Sequence, residues 1–151
     1  MKSLYESDYY TWACQQTQLI REGKFNELDL ENLIEEVDGL GGRHYDALEG
    51  ALKQLLLHLL KWQMQSQKDD LHEMNAWYRS WTVTIDTQRL DAEEVLEKNP
   101  GLQSKIDEIL ATAYQNARKR AAKAMGCKIN DFPTECPWSF EQIMTEDWLP
   151  E

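Results

Sequence analysis

The chain has 151 residues, 27 of them acidic and 16 basic, for a formal charge of −11. That length fits one domain able to bury a core without disulfides or a structural metal. The charge repels phosphate backbones and anionic lipid, so nucleic-acid and membrane binding are excluded as first readings, while a basic protein partner fits.

No apolar leader opens the chain, since Lys2 is followed by Leu4-Tyr5-Glu6-Ser7-Asp8. Cys14, Cys127 and Cys136 are odd in number and far apart, which argues against a secreted disulfide scaffold. The chain therefore reads as cytoplasmic.

The first helix starts between Ser3 and Asp8. Ser3 with Glu6 makes a capping box and Asp8 is a rival N-cap. Tyr5, Tyr9, Trp12, Gln16, Leu19 and Ile20 fall on one face, Cys14 lies near it, and Gly23 is the natural stop. Asp29 is the next N-cap, and Leu30, Leu33, Ile34, Val37 and Leu40 follow as an inner stripe.

Gly39-Leu40-Gly41-Gly42 is poor helix material. Yet the stripe keeps its phase through 33, 37, 40, 44, 48, 52, 55 and 59, whereas a hard turn would reset it. The spacing predicts one long, kinked helix from about Leu30 to Met64; the rival is two helices joined by a glycine turn at 39–42. Its most apolar part, Leu48 to Trp62, is greasy on most sides and demands several partner helices.

Gln65 to Asp70 is polar and reads as a loop. A third helix runs from about His72 to Lys98, with Trp77, Trp81, Ile85 and Gln88 along one stripe. Asn99-Pro100 ends it. The fourth carries Leu102, Ile106, Ile109, Leu110, Ala113, Tyr114, Ala117, Ala121 and Ala124, and Gly126 closes it. Residues 128–137 are irregular. Ser139 with Gln142 caps a short last helix. The expected fold is all-α: an antiparallel bundle of four main helices plus a short C-terminal one, in a single domain over 1–151. The segment 126–151 is a tail packed on the bundle, with Trp138 and Trp148 docked rather than exposed.

An ordered set of motifs runs along this framework: Asp8-x-x-x-Trp12, Leu30-Glu31-Asn32-Leu33-x-Glu35-Glu36, Leu57-His58-Leu59-Leu60-Lys61-Trp62, Arg79-Ser80-Trp81-x-x-Thr84-Ile85-x-x-Gln88-Arg89, Asn99-Pro100-x-Leu102, Ala113-Tyr114-x-x-Ala117-Arg118, Phe132-Pro133-x-x-Cys136-Pro137 and Asp147-Trp148-Leu149-Pro150. The set resembles the domain-of-unknown-function family numbered twenty-nine, found mostly in photosynthetic bacteria, over nearly the whole chain. The resemblance implies a compact helical fold and transfers no activity or cofactor. The Gly41-Gly42 pair and residues 67–75 depart from the pattern.

Residues with chemistry are few. His44, His58 and His72 recur every fourteen positions, but on one helix His44 and His58 stand about 21 Å apart, beyond the span of one metal. His58 fits a core-edge histidine; His44 and His72 fit solvent. The cysteine spacing suits no zinc site, and no phosphate loop or nucleophile elbow occurs, so no catalytic residue, metal or cofactor is assigned.

Arg79, beside Trp77 and Trp81, needs a carboxylate if it approaches the core. Arg79 or Arg89 is expected to pair with Glu35 or Glu36 as an interhelical clamp. Arg118-Lys119-Arg120-x-x-Lys123, the only positive cluster, faces the acidic run 27–38 or complements its own helix end. The function expected is that of a small, acidic, non-enzymatic bacterial protein working through protein contacts, as an adaptor or in an antitoxin-like role. The alternative is a small enzyme or anionic-ligand module near His58, Lys61 and Arg79, with Arg89 and Glu35 as further binding candidates.

Overall fold

In the computed structural model, which describes residues 1–68 and 75–151, both rival caps at the start of the chain are used. Ser3 and Glu6 close a capping box on a single turn, α1 (Leu4–Ser7). Asp8 then caps α2 (Tyr9–Arg21), its side chain accepting from Thr11 N at 3.1 Å. Gly23 ends α2 at φ +71°, a conformation that only glycine adopts without strain. A 3₁₀ turn (Phe25–Glu27) leads to α3 (Leu30–Lys68), one continuous helix of 39 residues. The single long helix is therefore present, and no turn interrupts it at 39–42.

The helix also continues past Gln65, the expected start of a loop, because Gln65 to Lys68 contain neither glycine nor proline. The next helix, α4, covers Asn75–Lys98; its expected start at His72 lies outside the described residues. Pro100 opens a 3₁₀ segment (Pro100–Lys105) that feeds α5 (Ile106–Met125). Gly126, at φ +65°, closes α5 with its own N–H on Lys123 O and that of Cys127 on Ala122 O. A 3₁₀ turn (Ile129–Asp131) and the capped helix α6 (Phe140–Met144) follow. No strand occurs among the described residues. The fold is all-α.

By contacts the chain divides into two units, 1–42 and 43–151. In the first, Tyr5, Tyr9 and Trp12 form an aromatic cluster, Tyr5 meeting Trp12 edge-on at 4.7 Å. Trp12 is buried, and its indole N–H donates to Asp29 Oδ2 at 2.9 Å. Gln16, also buried, accepts from the Asp29 backbone N–H at 2.8 Å. Asp29 in turn caps α3 through Asn32. The hydroxyls of Tyr5 and Tyr9 both donate to the Glu36 carboxylate, Tyr9 at 2.6 Å.

These attachments use Asp29, Asn32 and Glu36, which share one face of α3. The Leu30–Leu40 stripe lies on another face, and the expectation that it is inner is corrected. Leu30, Ile34, Val37 and Leu40 are 54–65% exposed. Tyr9 and Ile20 are half-exposed, and Cys14 is exposed rather than near a buried face.

In the second unit the same stripe becomes core. Leu48, Leu52, Leu55, Leu56, Leu59 and Leu60 are fully buried, joined by Ile85, Ala92, Ile109, Ala113, Tyr114 and Ala117. Lys61 beside Trp81, and a groove shared by Ala47 and Val95, set α4 antiparallel to α3. Tyr45 bonded to Glu108, and Met64 against Cys127, set α5 parallel to α3. The helices run up, down and up.

The tail packs on this frame, with Phe132, Trp138 and Ile143 buried. Tyr114 OH donates to Pro133 O at 2.6 Å, Gln115 to Thr134 O at 2.7 Å, and Arg118 to Asn130 and Phe132 O. Arg118 is thus a buried clamp and not part of a surface basic cluster. Its Nε has no hydrogen-bond partner among the described residues.

Gly39 and Gly42 carry an unexplained cost. Neither has positive φ, and a Cβ at either would meet nothing within 4 Å. Alanine at both is expected to raise stability by about 2 kcal/mol through helix propensity, measured by urea unfolding.

Candidate functional site

The five sequence candidates do not assemble into one site. His58 is half-buried on α3, and its Nδ1 lies 2.8 Å from Gln54 O. A carbonyl can only accept, so Nδ1 carries the proton. Burial holds the imidazole below the ordinary histidine range, against the Gln54 bond and with the help of the Lys61 charge. Lys61, one turn on, places its ammonium 5.0 Å from the Trp81 ring centroid, a cation–π contact. A cavity of about 300 Å³ opens there, lined by Lys61, Gln65, Trp81, Ala124 and Met125. His58 and Arg79 are not among its lining residues. Arg79 and Glu35 are exposed.

Arg89 is buried and committed elsewhere. Its Nε donates to Ile143 O at 2.7 Å, one Nη to Trp148 O, and the other approaches Asp86 at 3.5 Å. Burial pulls its pKa down while Asp86 and Asp147 oppose that. The expected clamp between Arg89 and Glu35 or Glu36 is therefore replaced. The carbonyl of Ile143, in the last turn of α6, has no partner within its helix, and a forked guanidinium suits it. Glu36 is satisfied by two phenols, and its hydrogen bond to Tyr5 helps push that phenol up to about 12.

The folded histidine resists protonation while the unfolded chain takes up a proton near pH 6.5. Stability is therefore expected to fall as pH drops from about 7.5 to about 5.5. His58→Gln should flatten that slope, as followed by the urea midpoint at both pH values.

The first unit holds the more pronounced surface feature. It carries three Lys or Arg against nine Asp or Glu, a formal −6. Leu30, Ile34, Val37 and Gly41 follow i, i+4, i+7 and i+11 along α3. An open groove of about 500 Å³ runs along this face, lined by Leu33, Ile34, Val37, Asp38 and Gly41. Glu31, Glu35 and Asp38, all exposed, form a row down its flank. The periodicity was visible in the sequence. Its exposure was not, because α1 and α2 attach through hydrogen bonds that no apolar pattern encodes.

Among the described residues, no group of three or more His, Cys, Asp or Glu side chains could hold a metal ion, and no helix is long and apolar enough to cross a membrane. A family model described as Domain of unknown function DUF29 matches residues 4–149. No curated protein and no solved structure matches the chain.

Proposed function

The chain belongs to the DUF29 family, and from that premise, which brings no activity with it, we propose that it is a non-enzymatic bacterial protein of the cytoplasm that works by binding a basic protein partner, as an adaptor or in an antitoxin-like role. One observation carries the reading: four large aliphatic side chains of α3 stay more than half exposed beside a row of carboxylates. Exposed apolar surface rimmed by charge of one sign is the composition of a docking face for a partner of the opposite sign. Arg89, which the sequence suggested as a binding residue, supports the tail instead. The rival ligand module keeps Lys61 and Arg89 at two separate cavities; the Lys61 ammonium already lies over an aromatic ring, and the Arg89 guanidinium already donates to Ile143 O and Trp148 O.

The test is recovery of the tagged chain from native lysate at low salt. A basic partner in fixed ratio is expected, released near 1 M salt, where the Debye length is about 3 Å. A variant with Glu31, Glu35 and Asp38 changed to glutamine should recover much less. An equal yield from that variant, or no partner, contradicts the reading.

A further inference from the structure

We propose that the groove lined by Ile34, Val37 and Gly41, with the exposed Leu30 continuing its row, receives a basic amphipathic α-helix from a different protein. The inference rests on the functional reading above and names the surface and the chemistry of the ligand.

Three observations on α3 support it. The row from residue 30 to 41 is about 16 Å long at 1.5 Å per residue, three turns of a facing helix. An amphipathic helix would lay its own i, i+3, i+4 and i+7 apolar side chains there, matching the exposed Ile34 and Val37. The flank of Glu31, Glu35 and Asp38 would then face lysines and arginines beside that stripe.

Gly41 supplies the third observation. It lies inside a helix, at negative φ, and a Cβ there would meet no atom of this chain within 4 Å. Glycine at such a site costs helix stability and gains nothing from internal packing. It does line the groove, where a missing side chain lets a second helix approach closely. A second copy of this chain suits the face poorly, because it would bring two units of −6 together.

The probe is a dye-labelled synthetic peptide of about 18 residues, long enough to hold a helix. It has a leucine stripe and lysine or arginine flanks. An acidic peptide with the same stripe is the control. Both are titrated against the full chain by fluorescence anisotropy. The basic peptide should bind, and the acidic one at least about tenfold more weakly. Val37→Glu should weaken binding at least about tenfold. Leu90→Glu, equally exposed but on α4, should leave it unchanged. Gly41→Ala should stabilise the free chain yet weaken the peptide.

Equal effects of Val37→Glu and Leu90→Glu, or binding of both peptides alike, would overturn the proposal. So would sedimentation showing a dimer that Val37→Glu dissociates, since a second copy would then be the occupant. If the native partner is recovered in a salt-dependent way and survives Val37→Glu, the groove assignment fails while the functional reading stands. If no partner is recovered and no peptide binds, both fail.

Discussion

Replacing Arg89 by alanine is expected to cost about 3–5 kcal/mol and to release the C-terminal segment. The guanidinium is the sole side chain that joins α4 to both Ile143 O and Trp148 O among the described residues. Each carbonyl left without a donor in a buried setting costs about 1–3 kcal/mol. The aliphatic stem of the arginine leaves a void as well. Arg89→Lys should recover only part of this loss, since an ammonium cannot reproduce the planar fork that reaches two carbonyls at once. Asp147, at φ +61°, holds a backbone conformation that non-glycine residues avoid, and it lies between the two anchored carbonyls. The measurement is urea unfolding followed by tryptophan emission. Trp138 and Trp148 stack edge to face at 5.7 Å, so release of the tail should shift their emission to the red before the bundle unfolds. An Arg89→Ala chain with unchanged midpoint and unchanged emission would contradict the assignment.

Leu59→Ala is expected to cost about 3–5 kcal/mol, the range for a fully buried leucine whose site cannot collapse. It lies toward the C-terminal end of α3, in the same buried cluster as Ile85 of α4 and Ile109 of α5. Val37→Ala on the same stripe should change stability by less than about 0.5 kcal/mol, because its side chain is 64% exposed. The comparison isolates burial, since the two residues share a helix and an apolar phase. Equilibrium unfolding of the two variants provides the check, and comparable losses would show that the stripe is core throughout.

Much of the frame was legible in the sequence because local chemistry wrote it. Ser3 with Glu6, Asp8, Gly23, Asp29, Gly126 and Ser139 with Gln142 each mark a helix end through a cap that needs only near neighbours. The unbroken apolar phase likewise showed that Gly39 to Gly42 do not end the long helix. What was not legible depended on partners distant in sequence. Periodicity says that Ile34 and Val37 share a face, and is silent on whether another helix reaches it. Arg89 looked like half of an ion pair, since a buried charge calls for a carboxylate. Its partners are mostly backbone carbonyls more than fifty positions away, which carry no residue-type signal. Arg118 misled in the same way, as a member of a basic run whose side chain turns inward to hold residues 130–132.

The direct test of the open face is the thermal midpoint of Val37→Glu against the parent chain. Glutamate has at least the helix propensity of valine, and the position faces solvent. The midpoint is expected to move by less than about 2 °C, since a change within about 0.5 kcal/mol shifts a chain of this size no further. A fall of more than about 5 °C would mean that Val37 is packed in a core, and would leave no free apolar face for a partner.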